Sequence, residues 1–162
     1  MAKNAKTLSL LLLIAVLGLA ACQSNQVYQE VKDIPEGKWH KDNILSYNFT
    51  ISDTLQPHHV FINIRNTTEY SYRNLYLFIE THDPAGRTVR DTFQCILADK
   101  KGRWYGKGWG DVYENKIPYQ KFIRFPKSGT YSIEVQQAMR TTRLKHITDM
   151  GIIIEKAKKP VQ

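Results

Sequence analysis

Cysteine is scarce. The 162 residues contain two, Cys22 and Cys95, so at most one internal disulfide can form, and none once Cys22 is modified. Stability must then come from packing. Long apolar runs are also missing beyond residue 21, so no segment there is long and apolar enough to span a bilayer as a helix. The familiar catalytic signatures are missing too. There is no Gly-x-Ser-x-Gly and no His-Glu-x-x-His. Gly102 to Gly108 holds a Gly-Lys pair, but it is one residue short of a phosphate-binding loop and has Gly108 where Ser or Thr is required. The five histidines are scattered. Adjacent His58 and His59 point to opposite faces of an extended chain, so they cannot readily clamp one metal and read as surface residues. No metal site, cofactor or enzymatic activity is expected.

The N-terminus is what stands out. Lys3 and Lys6 precede an uncharged run from Leu8 to Ala21, which is shorter than the roughly 20 residues a spanning helix needs. The run ends Leu19-Ala20-Ala21-Cys22, which resembles the lipobox of bacterial lipoproteins. Residues 1–21 are therefore expected to be a cleaved lipoprotein signal peptide. Cys22 is the expected lipid attachment site, binding the membrane through a diacylglycerol thioether and fatty acyl groups. Gln23, rather than an aspartate, follows it, which points to the outer membrane, and no acidic cluster follows that would favour surface export. The formal net charge of +8 includes Lys3 and Lys6 of the leader. A basic protein outside the cytoplasm meets anionic lipid, wall polymer or acidic proteins rather than nucleic acid.

Past the polar tether 22–26, period-two alternation dominates. Leu45, Tyr47, Phe49 and Ile51 alternate with polar residues, and so do Val60, Ile62 and Ile64, and Tyr131, Ile133 and Val135. Leu75 to Ile79 is apolar on both faces, as a central strand would be. Cys95 shares a face with Phe93 and Leu97 and reads as a core residue. Asp83-Pro84-Ala85-Gly86 and Pro126-Lys127-Ser128-Gly129 are turns. These features predict an all-β fold over 27–156: one antiparallel, immunoglobulin-like β-sandwich of about seven or eight strands, with a flexible basic tail at 157–162. One helical turn is expected at 111–116, and an irregular loop over 99–110.

That loop carries the candidate binding surface, Arg103, Trp104, Tyr105, Lys107 and Trp109. Indole rings beside cations suit protein interfaces and stacking on sugars. The alternative is that the tryptophans fold back to plug an end of the sandwich. Asp53-Thr54-Leu55 resembles a short O-glycosylation acceptor of exported bacterial proteins, which makes Thr54 a candidate.

Several stretches together resemble the gliding-motility lipoprotein GldH family of Bacteroidetes. They are Ile34-Pro35 with Trp39-His40-Lys41-Asp42, Asn74 to Phe78, Asp91-Thr92 with Leu97-Ala98-Asp99 and Gly102-Arg103-Trp104, Gly106-Lys107-Gly108 with Gly110 to Asn115, and Arg124-Phe125-Pro126 with Gly129-Thr130-Tyr131 and Glu134 to Arg140. The resemblance implies a non-enzymatic envelope lipoprotein, with partners among the gliding and secretion machinery. Two rivals remain: a glycan- or peptidoglycan-binding module, which shares the fold and anchor and needs coplanar, exposed Trp104 and Trp109, and an envelope hydrolase.

Replacing Cys22→Ser should move the mature protein from the membrane to the soluble fraction on fractionation. Retention in the membrane would show that something other than the lipid holds it.

Overall fold

A computed structural model describes residues 25–158, so the leader, Cys22 and 159–162 lie outside the described residues. The described residues form eleven strands: β1 (Gln26–Asp33), β2 (Lys38–His40), β3 (Leu45–Ile51), β4 (His58–Thr67), β5 (Asn74–His82), β6 (Thr88–Ile96), β7 (Lys107–Trp109), β8 (Val112–Ile123), β9 (Gly129–Gln137), β10 (Arg143–Lys145) and β11 (Ile147–Lys156). Eight of them run seven residues or more; β2, β7 and β10 have three each. All pairings are antiparallel.

One sheet has the order β1-β11-β4-β8-β7 and the other β3-β9-β5-β6, with β2 and β10 as a separate ribbon. Alternate side chains of both sheets meet in a single core. Val60, Ile62, Ile64, Met150, Ile152 and Ile154 come from the first sheet, and Tyr47, Leu75, Leu77, Ile79, Ile133 and Val135 from the second. Each such buried side chain contributes roughly 1.5–3 kcal/mol. The Tyr47 hydroxyl donates to Met150 O at 2.7 Å, a buried hydrogen bond between the layers.

The order corrects the immunoglobulin-like expectation. There, consecutive strands form several hairpins within a sheet. Here β5–β6 is the one pair of consecutive long strands joined in a sheet; elsewhere the chain changes layer at every long strand, the order of a jelly roll. Alternation specifies which face of a strand is buried, but not which sheet the strand joins. The helical turn expected at 111–116 is also corrected. Val112 opens β8, the longest strand, because its pairing with β4 satisfies the backbone. β5 is internal, as its apolar run implied, and Cys95 is fully buried. The start and end of the domain are more ordered than expected. Gln26 already pairs with Glu155, while Ala157 is buried and its N–H donates to Pro57 O.

The register places the loops at two ends. β1 begins, β11 finishes, β4 begins and β8 finishes at the same end, where Lys156 N donates to Asn25 O and His58 pairs with both Lys156 and Ile123. We call this the base. The β7–β8 turn and the loops 34–44, 68–73 and 97–106 lie at the opposite end, since Val112 pairs with Thr67 and Thr68 N donates to Asp111 O. At about 3.3 Å per residue, β8 alone spans roughly 35 Å from base to tip.

Tyr47→Phe should lower stability by about 1–2 kcal/mol, since Met150 O loses its interlayer donor. Leu77→Ala should cost about 2–5 kcal/mol by opening a cavity. Urea unfolding followed by circular dichroism measures both.

Candidate functional site

The loop expected over 99–110 is built in two parts. Asp99 caps the first. Its carboxylate accepts from the N–H groups of Lys101 and Arg103 and from Arg103 Nε at 2.7 Å, and these bonds, led by the backbone donor Arg103, hold its carboxyl below the usual range. Gly102, with φ 81°, lets the chain turn there. The second part is a strand rather than irregular loop, which corrects the expectation: Lys107 to Trp109 pair with Val112 to Glu114 as β7. Glycine is needed at the entry for lack of room. A Cβ on Gly106 would lie 2.7 Å from Glu114 O, so only a bare backbone can approach β8 so closely.

The five candidate residues are not brought together as one surface. Trp104 folds inward and packs partly buried on the core, with its ring 6.3 Å from Tyr70 and 5.8 Å from Tyr113. Trp39, fully buried with Nε1 donating to Asn43 O, fills the same end of the domain. Trp109, in contrast, is 92% exposed at the tip of the β7–β8 hairpin. The plugging role therefore falls to Trp39 and Trp104, and the outward role to Trp109. Coplanar, exposed stacking by Trp104 and Trp109 is not the geometry present. Arg103 is exposed and engaged with Asp99.

Tyr105 and Lys107 line a depression of about 430 Å³ together with Asn63, Glu114, Lys116 and Ile96. Asn63 is buried; its Nδ2 donates to Glu114 Oε1 at 2.9 Å, and its Oδ1 has no protein partner. Sequence alone does not flag Asn63. It occupies an outward position on β4, between Lys116 of β8 and Gly151 of β11. Thr54 lies in a turn at the base, where Asp53 Oδ1 accepts from the N–H groups of Leu55 and Gln56.

Two histidines depart from the surface reading. His58 is buried against Phe125, with desolvation pushing its pKa down and Nδ1 unpartnered. His82 lies between Glu80 and Glu134, at 3.5 and 3.9 Å, with Nδ1 on Thr88 Oγ1. Among the described residues these three place one donor atom each within 4.8 Å of one another, the arrangement a divalent ion would use. Arg90 lies 3.9 Å from Glu80 and already offers that cluster a positive charge. The trio could not be read from sequence, because Glu134 joins it only through the pairing of β5 with β9. Burial pushes the Cys95 thiol up to about 12, which suits a core residue and not a nucleophile.

The family model of the GldH lipoproteins matches residues 26–154, the whole of this two-sheet domain short of the end of β11. The chain belongs to the GldH lipoprotein family. It is 36% identical over 152 residues to a gliding motility lipoprotein GldH homolog of Christiangramia forsetii, covering 90% of this chain and 93% of that one. It is 31% identical over 152 residues to the gliding motility lipoprotein GldH of Flavobacterium johnsoniae, covering 90% and 94%. Among solved structures, a family GH115 4-O-methyl-alpha-glucuronidase aligns with a TM-score of 0.42 at 11% identity, covering 86% of this chain and 18% of that one. That likeness is too slight to bear on function. Membership in a lipoprotein family carries membrane anchoring with it, and the family is tied by name to gliding motility.

Trp109→Ala should leave stability within about 0.5 kcal/mol, as for exposed sites generally. Trp104→Ala should cost about 2 kcal/mol or more through lost packing. Parallel urea titrations of the two variants test this division of labour.

Proposed function

We propose that this chain is a non-enzymatic lipoprotein of the gliding apparatus, lipidated at Cys22. On this reading it faces the periplasm from the outer membrane and presents its far end to a partner envelope protein. One observation carries the reading. The chain enters the domain at the base, while the most exposed large aromatic, Trp109, stands about 35 Å away at the tip. A tethered domain with its anchor at one end and an exposed indole at the other is arranged to bind away from the bilayer. Tethering confines the domain to a thin layer, which raises the effective concentration of partners held there and lets a small contact suffice. Tryptophan at such a position is the residue type that most often dominates an interface. The depression beside Tyr105 and Lys107 extends the surface along β8, and the unpartnered Asn63 Oδ1 offers an acceptor there.

A Tyr105→Ala/Trp109→Ala variant should fold and stay in the membrane fraction, yet lose at least about tenfold in partner recovered by in-cell crosslinking, equivalent to about 1.4 kcal/mol. Undiminished crosslinking, with full complementation of a deletion strain, would remove the tip from the mechanism.

A further inference from the structure

We propose that the base of the domain is itself a membrane-contacting surface, seating Leu55 and Phe122 in an anionic lipid headgroup layer. This rests on the reading of Cys22 as the lipid-bearing residue and goes beyond it, because a lipid on a flexible leash would not require the domain to touch the bilayer.

The leash is short. Three residue steps separate Cys22 from Asn25, and even a fully extended chain covers only about 10 Å in that span. Asn25 O is already fixed by Lys156 N, so the ordered domain starts within that distance of the acyl chains. Whatever the base presents is therefore presented to the headgroups.

The base presents apolar tips. Leu55 is 80% exposed and Phe122 52%, and both lie at this end. The presentation of Phe122 is built. It holds φ 55° in the left-handed region, unusual for a bulky side chain, at a register shift in β8. Its N–H donates to His59 Nδ1 at 3.3 Å, and its ring meets the His59 imidazole edge-on at 4.5 Å. The loop of Leu55 is tied to the same strand end, since Arg124 Nε donates to Leu55 O at 3.0 Å. Hydrogen bonds to the backbone thus fix the two segments that carry these exposed apolar side chains.

The surrounding charge fits an anionic layer. Lys121, Arg124, Lys156 and Lys158 are all exposed at this end. Asp53 turns back to accept from its own loop, and Glu155 is paired with Lys116 at 2.6 Å. Cations around an apolar tip are the pattern of an interfacial contact. The opposite tip, with Trp109, is held clear by the length of β8. A sugar on Thr54, next to Leu55, would hold this surface off the bilayer.

The test uses the full lipidated protein carrying Leu55→Cys, labelled with an environment-sensitive NBD probe. Lipidation occupies the Cys22 sulfur and burial protects Cys95, so labelling falls on the new thiol. Asp111→Cys provides a site at the opposite tip. In phosphatidylethanolamine/phosphatidylglycerol vesicles, the probe at 55 should shift to the blue and be quenched by lipids brominated in the upper acyl chain, while the probe at 111 should do neither. Replacing Lys121, Arg124, Lys156 and Lys158 together by Gln should reduce that quenching at least twofold. A probe at 55 as solvent-exposed as the one at 111, on protein that floats with the vesicles, overturns the proposal and leaves the anchor standing. Protein that fails to float overturns both. A hexose found on Thr54 by intact mass of the membrane-extracted protein also overturns it.

Discussion

The structure depends on two sheets covering each other's apolar faces, with no covalent staple to assist. Cys95 is the free thiol of the described residues and is sealed in the core, so every restraint between layers is non-covalent. The Tyr47–Met150 hydrogen bond and the interdigitated isoleucines and leucines of the two inner faces carry that restraint. Because nearly every long strand crosses to the other sheet, most loops travel between layers, and the loops gather at the two ends. The separation of base from tip is a consequence of how the core is closed.

The fold class was legible because burial follows period two. β3 shows this best: its residues alternate buried and outward as the apolar positions from Leu45 to Ile51 require. Leu75 to Ile79 was legible as an inner strand for a different reason, its apolar residues on both faces. Strand order was not legible, since any two-layer arrangement imposes the same alternation on its strands. β8 was misread at its start because Glu114 to Lys116 breaks the apolar alternation, and its partner β4 lies about 50 positions earlier in the chain.

The aromatic loop was half legible. Composition singled out Trp104 and Trp109 together, yet they play opposite parts, since Tyr70 and Tyr113 receive one ring and nothing in the domain covers the other. The partners of Trp104 come from distant positions that only the fold brings near. The grouping of His82 with Glu80 and Glu134, the burial of His58 and the open acceptor of Asn63 likewise depend on strand register, which local pattern does not encode. Phe122 escaped notice because its exposure comes from a backbone angle, not from its neighbours in sequence.

The placement of β1 has a mechanical meaning. It is an outer strand of the five-stranded sheet, and it begins at the base and runs toward the tip. Tension between the anchor and something gripping the tip therefore pulls β1 lengthwise past β11. The paired positions from Gln26–Glu155 to Asp33–Asp149 resist in parallel, as a lap joint does, instead of opening one after another like a zip.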